Sequence, residues 1–319
     1  MKTDALLLTS FGGPEGPDDV LPFLENVTRG RHVPRERLEV VAGHYLEHFG
    51  GVSPLNEQNR QLQRALQDAV PELPVYWGNR NWHPFLSDTL ATMHADGIRR
   101  ALAVVTSAFP SYSGCRQYQE DLVGPVLVEK LRHYYAEEGF LAPLRRNVAR
   151  ASEGLSDPRL VFTAHSIPLS MAEASGPDGG AYEQTLRLAS AAVAGERPWD
   201  LVWQSRSGPP HIPWLEPDVG VHVQGLYDGG AREVVVVPIG FTSDHVEVVY
   251  DLDVQLRAQL PDDLLLRRAA TVGSDPEFVA MLARLVRERI AGVPAPPGIA
   301  LHHVCPSGCC TPLTRSEQR

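Results

Sequence analysis

An α/β fold of two similar halves, each a parallel sheet flanked by helices, is the class this sequence predicts. Three observations predict it. Short runs rich in Val and Leu, with little period-two alternation, alternate with amphipathic helical segments, which is the pattern of strands buried on both faces. The runs of the first half recur in order in the second. The length of 319 residues also exceeds one ordinary core, since a domain takes roughly 150 residues. The expected division is therefore 1–150 and 151–319, the second unit ending in a Cys-rich tail.

Candidate strands lie at 5–9, 74–77, 101–106, 160–164, 201–204 and 233–238. Between them, 54–70 places Leu55, Leu62, Leu66 and Val70 near helical spacing, and 181–193 does the same with Leu186, Leu188 and Ala192. A helix over 245–260 carries a stripe of Val249, Leu252, Leu256 and Leu260. The internal echo pairs LLLTSFGGP (6–14) with VFTAHSIP (161–168), and VYWGN (75–79) with VWQS (202–205). It also pairs LAVVTSAFPSYS (102–113) with VVVVPIGFTSDH (234–245). Each is an apolar strand running into a polar loop, and open parallel sheets bind ligands beyond their strands' carboxyl ends. No GxGxxG or GxxxxGK[ST] falls in those loops, which argues against the usual nucleotide sites.

Apolar residues are 43% and charged residues 21%, an ordinary globular balance. The formal charge of −10 gives no general affinity for a phosphate backbone. Nucleic acid is therefore not an expected partner, and a cationic substrate or metal ion is. No apolar stretch approaches the roughly 20 residues that span a bilayer, and 5–8 reads as a strand, not a signal peptide. The expected compartment is the cytoplasm. A monomer is expected because no heptad repeat is sustained.

Three constellations can carry chemistry. His165 directly follows a strand, where an imidazole can take a proton or bind a metal. Asp244, Glu247 and Asp251, three and four apart, would share one face of a helix over 243–260. That row can pass a divalent metal inward, or Asp244 and Glu247 can form a capping box. Cys305, Cys309 and Cys310 crowd into six residues, and Cys115 is the one other cysteine. Such soft thiolates select zinc or iron–sulfur, with His302 and His303 as rival ligands. A fourth pattern, His44-Tyr-Leu-Glu-His48, has inverted zinc-peptidase spacing, but Gly50-Gly51 cuts its helix short.

Taken together, SFGGPE (10–15), GGVSPLNEQ (50–58), SGCRQYQEDL (113–122), TAHSIPLSM (163–171), WQSRSGPPHIPWLEP (203–217) and GFTSDHVEVVYDLD (240–253) resemble the ferrochelatase family. The resemblance runs in order from about residue 5 to 260 and looks nearest to the actinobacterial coproporphyrin III branch. It implies two Rossmann-like domains with a cleft between them and insertion of ferrous iron, the metal substrate, into a porphyrin. It implies His165 and Glu247 as iron-site and catalytic residues facing each other across the porphyrin, with Asp251 next in an acidic row. Phe11, Arg29, Ser53 and Tyr118 match porphyrin-holding positions, and Arg31 could pair a further propionate. Phe11 stands where some relatives carry Tyr. The branch often carries a 2Fe-2S cluster, which here would need Cys115, Cys305, Cys309 and Cys310 and a tail folded back onto the first half. Protoporphyrin IX as substrate and a non-enzymatic porphyrin carrier are the alternatives.

Overall fold

The structure is a computed structural model that describes residues 2–30, 33–208 and 211–312. Among the described residues, eight strands form two separate sheets. The first holds β1 (Ala5–Ser10), β2 (Val75–Asn79), β3 (Arg100–Val105) and β4 (Leu127–Lys130) in the order β2-β1-β3-β4. The second holds β5 (Arg159–His165), β6 (Trp199–Gln204), β7 (Glu233–Val237) and β8 (Leu265–Arg268) in the order β6-β5-β7-β8. All six pairings are parallel. The topology is thus the same twice, and the three sequence echoes fall on β1/β5, β2/β6 and β3/β7.

The inner strands explain themselves. Ala5–Ser10 is buried at every position, as a strand covered on both faces must be. The edge strands β4 and β8, which sequence reasoning missed, read LVEK and LLRR. Their charges suit an edge, where one side meets water and unpaired backbone invites misassociation.

The helices do not respect the simple division. Residue 150 falls in the last turn of the helix Glu138–Ser152, which packs on β7, β8 and the helix Ala181–Ala194 of the second half. The last helix, Pro276–Ala291, packs on that same helix and on Leu55–Ala69 of the first half. One apolar cluster accordingly runs through both halves, from Leu6, Leu66 and Leu102 to Phe140, Phe162, Val235 and Phe278. Phe278 is 1% exposed and meets Tyr134 edge-on and Phe140 at a tilt.

Truncating Phe278 to Ala should therefore cost about 3–5 kcal/mol. The halves should still unfold in one transition, read as coincident urea curves by tryptophan fluorescence and far-UV dichroism. Two separated transitions would count against a shared core.

Candidate active site and thiol cage

The site begins where β5 ends. The His165 carbonyl accepts the Tyr182 hydroxyl at 2.9 Å, and its Nδ1 lies 2.5 Å from the Ser166 carbonyl oxygen. A carbonyl has no proton to give, so Nδ1 carries one and Nε2 is bare on the neutral ring. That Nε2 lies 3.9 Å from Glu247 Oε2. Glu247 sits on the short helix Val246–Val249 after β7, and its backbone carbonyl accepts the Gln204 amide at 3.1 Å. Gly240 makes the approach of the two strand ends possible. Its amide reaches the Thr163 carbonyl at 3.1 Å, and a Cβ there would stand 2.8 Å from the Ala164 Cα.

With metal–ligand bonds of about 2.1 Å, two donors on one cation are at most about 4.2 Å apart. The imidazole and carboxylate meet that condition. They do not meet the expectation of facing each other across a porphyrin. Groups in contact with opposite faces of a planar ring stand about 7 Å apart, two van der Waals contacts. At 3.9 Å no ring fits between them, so both address one face.

The acidic row is also corrected. The expected helix over 245–260 is present over 246–259 but is not α-helical throughout: α-helical Val246–Val249 and Leu256–Gln259 flank a π-turn at Tyr250–Gln255. Asp244 neither caps this segment nor joins a row. His245 holds the N-cap position without a side-chain bond. The Asp244 carboxylate instead accepts Arg268 Nη1 at 2.8 Å, and Arg268 forks onto Asp253 with two bonds of 2.8 Å. Asp251 does stand beside the pair. The Ser205 hydroxyl donates to its carboxylate. Burial pushes its pKa up to about 7; the Ser205 bond opposes this, the Glu247 charge adds to it, and His165 opposes it.

The first half closes the other side. Tyr45, from the helix Arg35–Phe49, is buried, and its pKa is raised by burial and then by the Glu247 and Asp251 charges. His44 and His48 of the same helix pack their rings on Tyr250, at 4.2 and 5.2 Å between centroids. The peptidase-like motif is thus a packing face for the π-turn. Two seams hold the halves together here. Gln58 exchanges both amide bonds with the Asp244 backbone, at 2.8 and 3.0 Å, and the Thr242 hydroxyl donates to the Thr106 carbonyl at 3.1 Å.

Of the porphyrin-holding candidates, Ser53 is buried against Gly13, where a Cβ would come within 2.6 Å of its own. Tyr118 is buried, with the Arg80 guanidinium 4.9 Å over its ring, and the Arg80 amide is bonded to the Ser10 carbonyl. Phe11 is 40% exposed and meets Phe23 edge-on. Arg29 is exposed beyond the helix Val20–Val27, and Arg31 lies outside the described residues. Sequence reasoning missed Tyr45, Gln58, Arg80 and Gln204. Gln58 and Gln204 sit inside the segments that carried the family resemblance, which was the available signal. Ser10 Oγ and Gln204 Oε1 are buried without a partner at the ends of β1 and β6. Buried polar atoms rarely stay unpaired, so these orphans point to something the site holds.

The four cysteines meet although Cys115 is 190 positions from Cys305. The Cys115 sulfur lies within hydrogen-bond reach of the Cys305 and Cys310 thiols, and these two contacts, in that order, hold it toward thiolate against burial. Cys305 contacts Cys309, and Cys309 Sγ is 3.7 Å from Cys310 Sγ. Cys115, Cys309 and Cys310 are buried and Cys305 is partly exposed. The tail is tied down by Arg116, which donates to the Cys309 and Pro306 carbonyls at 2.7 and 3.3 Å. Tyr135 donates to the Ile299 carbonyl at 2.9 Å, and the Gly176 amide to Cys310 Sγ at 3.2 Å. Each of the four soft donors has two of the others as neighbours, a donor chemistry that fits an iron–sulfur cluster.

The profile of the family described as Ferrochelatase matches residues 3–290. A coproporphyrin III ferrochelatase of Frankia alni is 52% identical, covering 99% of this chain and 88% of its own length. One of Streptomyces coelicolor is 49% identical, covering 96% and 93%. Among solved structures, CbiX, a terminal enzyme of sirohaem biosynthesis, aligns with a TM-score of 0.54 at 15% identity, over 89% of this chain and 98% of its own. SirB from Bacillus subtilis aligns at 0.52 and 12%, over 91% and 97%. The last two show the chelatase fold alone. The chain belongs to the ferrochelatase family, lyases that insert a metal into a porphyrin.

Two outcomes follow from this geometry. A carboxyl whose pKa is about 7 folded and about 4 unfolded stabilises the fold fully below about pH 4 and loses that contribution as pH rises to about 7. Melting temperatures across that window should fall more steeply in the native chain than in Asp251→Asn. Gly240→Ala should cost about 1–3 kcal/mol by overpacking. By moving Glu247 off His165, it should also slow metal insertion roughly a hundredfold, read as initial rates; an unchanged rate would detach Gly240 from the chemistry.

Proposed function

We propose that the chain inserts ferrous iron into coproporphyrin III, releasing two protons and giving Fe-coproporphyrin III in haem biosynthesis. The observation that carries the reading is the bare His165 Nε2 beside Glu247 at 3.9 Å. The relatives named above support the substrate, since they are coproporphyrin III ferrochelatases at about half identity over nearly the whole chain. Insertion must remove the two pyrrole N–H protons that occupy the ring centre. His165 Nε2 takes a proton as general base. Glu247 and Asp251 give the iron hard oxygen ligands in place of water. With its pKa near 7, Asp251 can exchange a proton for the cation at neutral pH.

Phe11, Arg29, Ser53 and Tyr118 hold the macrocycle, the arginine pairing a propionate. Cys115, Cys305, Cys309 and Cys310 hold a 2Fe-2S cluster of structural or sensory role, because iron insertion moves no electrons; bound there, it supplies a covalent tie between the tail and the first half. The chain acts as a monomer in the cytoplasm, in units of 1–150 and 151–319. Free thiols suit a reducing compartment, and no helix among the described residues is long and apolar enough to cross a membrane.

The test is anaerobic absorbance with ferrous iron and either coproporphyrin III or protoporphyrin IX. Coproporphyrin III should be turned over faster. His165→Ala should lose at least about a hundredfold in rate while binding porphyrin nearly unchanged, as read by fluorescence quenching. Full activity in that variant would remove His165 from the mechanism.

A further inference from the structure

Beyond its four sulfurs the thiol cage has two imidazoles at hand, His133 against Cys115 and His302 against Cys305 and Cys309. A ring nitrogen of His302, Cys305 Sγ and Cys309 Sγ all lie within 4.8 Å of one another. The sulfurs themselves form a closed circuit: Cys115 meets Cys305 and Cys310, Cys305 meets Cys309, and Cys309 meets Cys310. His302 therefore stands beside the Cys305–Cys309 edge of that circuit. The neighbouring His303 is not in that group, and its Nε2 is turned to the Val293 carbonyl at 3.1 Å.

Exposure distinguishes the corners. Cys115, Cys309 and Cys310 are buried, whereas Cys305 is partly exposed on the tail. An oxidant in solution reaches an exposed sulfur before buried ones, so Cys305 is the corner most open to loss. His302 precedes it by three residues and shares Cys309 as neighbour. An imidazole is an established replacement for a thiolate on iron–sulfur clusters and on zinc.

We propose that His302 is a reserve ligand that takes the place of Cys305, so that the cage has two ligand sets: four thiolates, or three thiolates and the His302 imidazole. The site then keeps its metal group after losing its exposed thiol. This rests on the cluster reading given above.

The experiment uses the full chain, freed of metal and reconstituted anaerobically with ferrous iron and sulfide. Iron and sulfide content, visible dichroism and pulsed EPR of the reduced cluster are the readouts. The native chain should hold a cluster with no directly bound nitrogen. Cys305→Ala should keep a cluster and gain a strong nitrogen coupling, which His302→Ala added to it should abolish together with the cluster. Cys305→Ser, which preserves side-chain volume, should behave like Cys305→Ala. Position 305 lies on a partly exposed turn, so neither variant opens the core, and far-UV dichroism verifies folding. A native chain that takes up no cluster overturns the cluster reading and this inference together. A native cluster that is lost in both folded Cys305 variants, or kept in them without nitrogen coupling, overturns the inference alone.

Discussion

The close packing of Gly240 on Ala164 is the contact on which the site depends. β5 and β7 are neighbours, so their carboxyl ends are necessarily near each other. Nearness of strands alone leaves side chains several ångströms apart. The missing Cβ at Gly240 lets the chain after β7 lie directly on the end of β5, with a backbone bond from Gly240 to Thr163. The chain then turns into Val246–Val249 and delivers Glu247 to His165. The Gln204 amide, from the third strand end, holds the Glu247 carbonyl and fixes the turn from the other side. Adjacent strands at the switch point thus supply base and carboxylate, and a neighbouring strand supplies the brace.

A second constraint keeps that arrangement closed. Asp244 is gripped at both ends, its backbone by Gln58 of the first half and its carboxylate by Arg268 of β8. Arg268 is itself saturated by Asp253, which lies in the π-turn. Two carboxylates that would otherwise add negative charge near Glu247 and Asp251 are therefore spent on one guanidinium. That neutralisation matters electrostatically. Asp251 is already raised by burial and by Glu247, and any further unpaired anion beside it would raise it more and favour protonation over metal binding.

Much of the fold was legible because both-face burial writes itself into sequence as unbroken apolar runs. The four inner strands, the edge strands β2 and β6, and the internal repeat were read that way. The edge strands β4 and β8 were not, since LVEK and LLRR carry charges that no burial excludes. The π-turn left a signal that a search for helical stripes overlooks. The residues that enter the core are Val248, Leu252, Leu256 and Leu260, with Val249 only partly buried. A spacing of four repeated three times overruns a 3.6-residue period by about one residue, and the wide turn absorbs it. His165 and Glu247 were legible as chemistry-bearing types at strand ends. Their lying on one face was not, because it depends on Gly240 and on the π-turn's rotation. Tyr45 and Arg80 were illegible for another reason: each reaches the site through tertiary packing with no local motif.

The repeated topology also shows how one fold comes to do two jobs. β1 and β5 occupy the same place in their sheets, and each ends at the residue that opens the cleft loop: Ser10 in the first half, His165 in the second. The first copy follows with Phe11-Gly12-Gly13 and packs Ser53 against the glycines, which builds a small-residue floor with an exposed aromatic ring. The second follows with Ser166 and draws an imidazole, two carboxylates and a serine hydroxyl together. Under the proposed function these are complementary halves of one requirement. Donors 3.9 Å apart can serve only one face of a planar substrate, so its other face must be met by other groups, and the first half is the copy that offers them. The seams at Gln58 and Thr242 are then more than domain glue. They set the spacing between a binding surface and a reacting pair that belong to different sheets, and a flat ring would have to fit that spacing to be metallated.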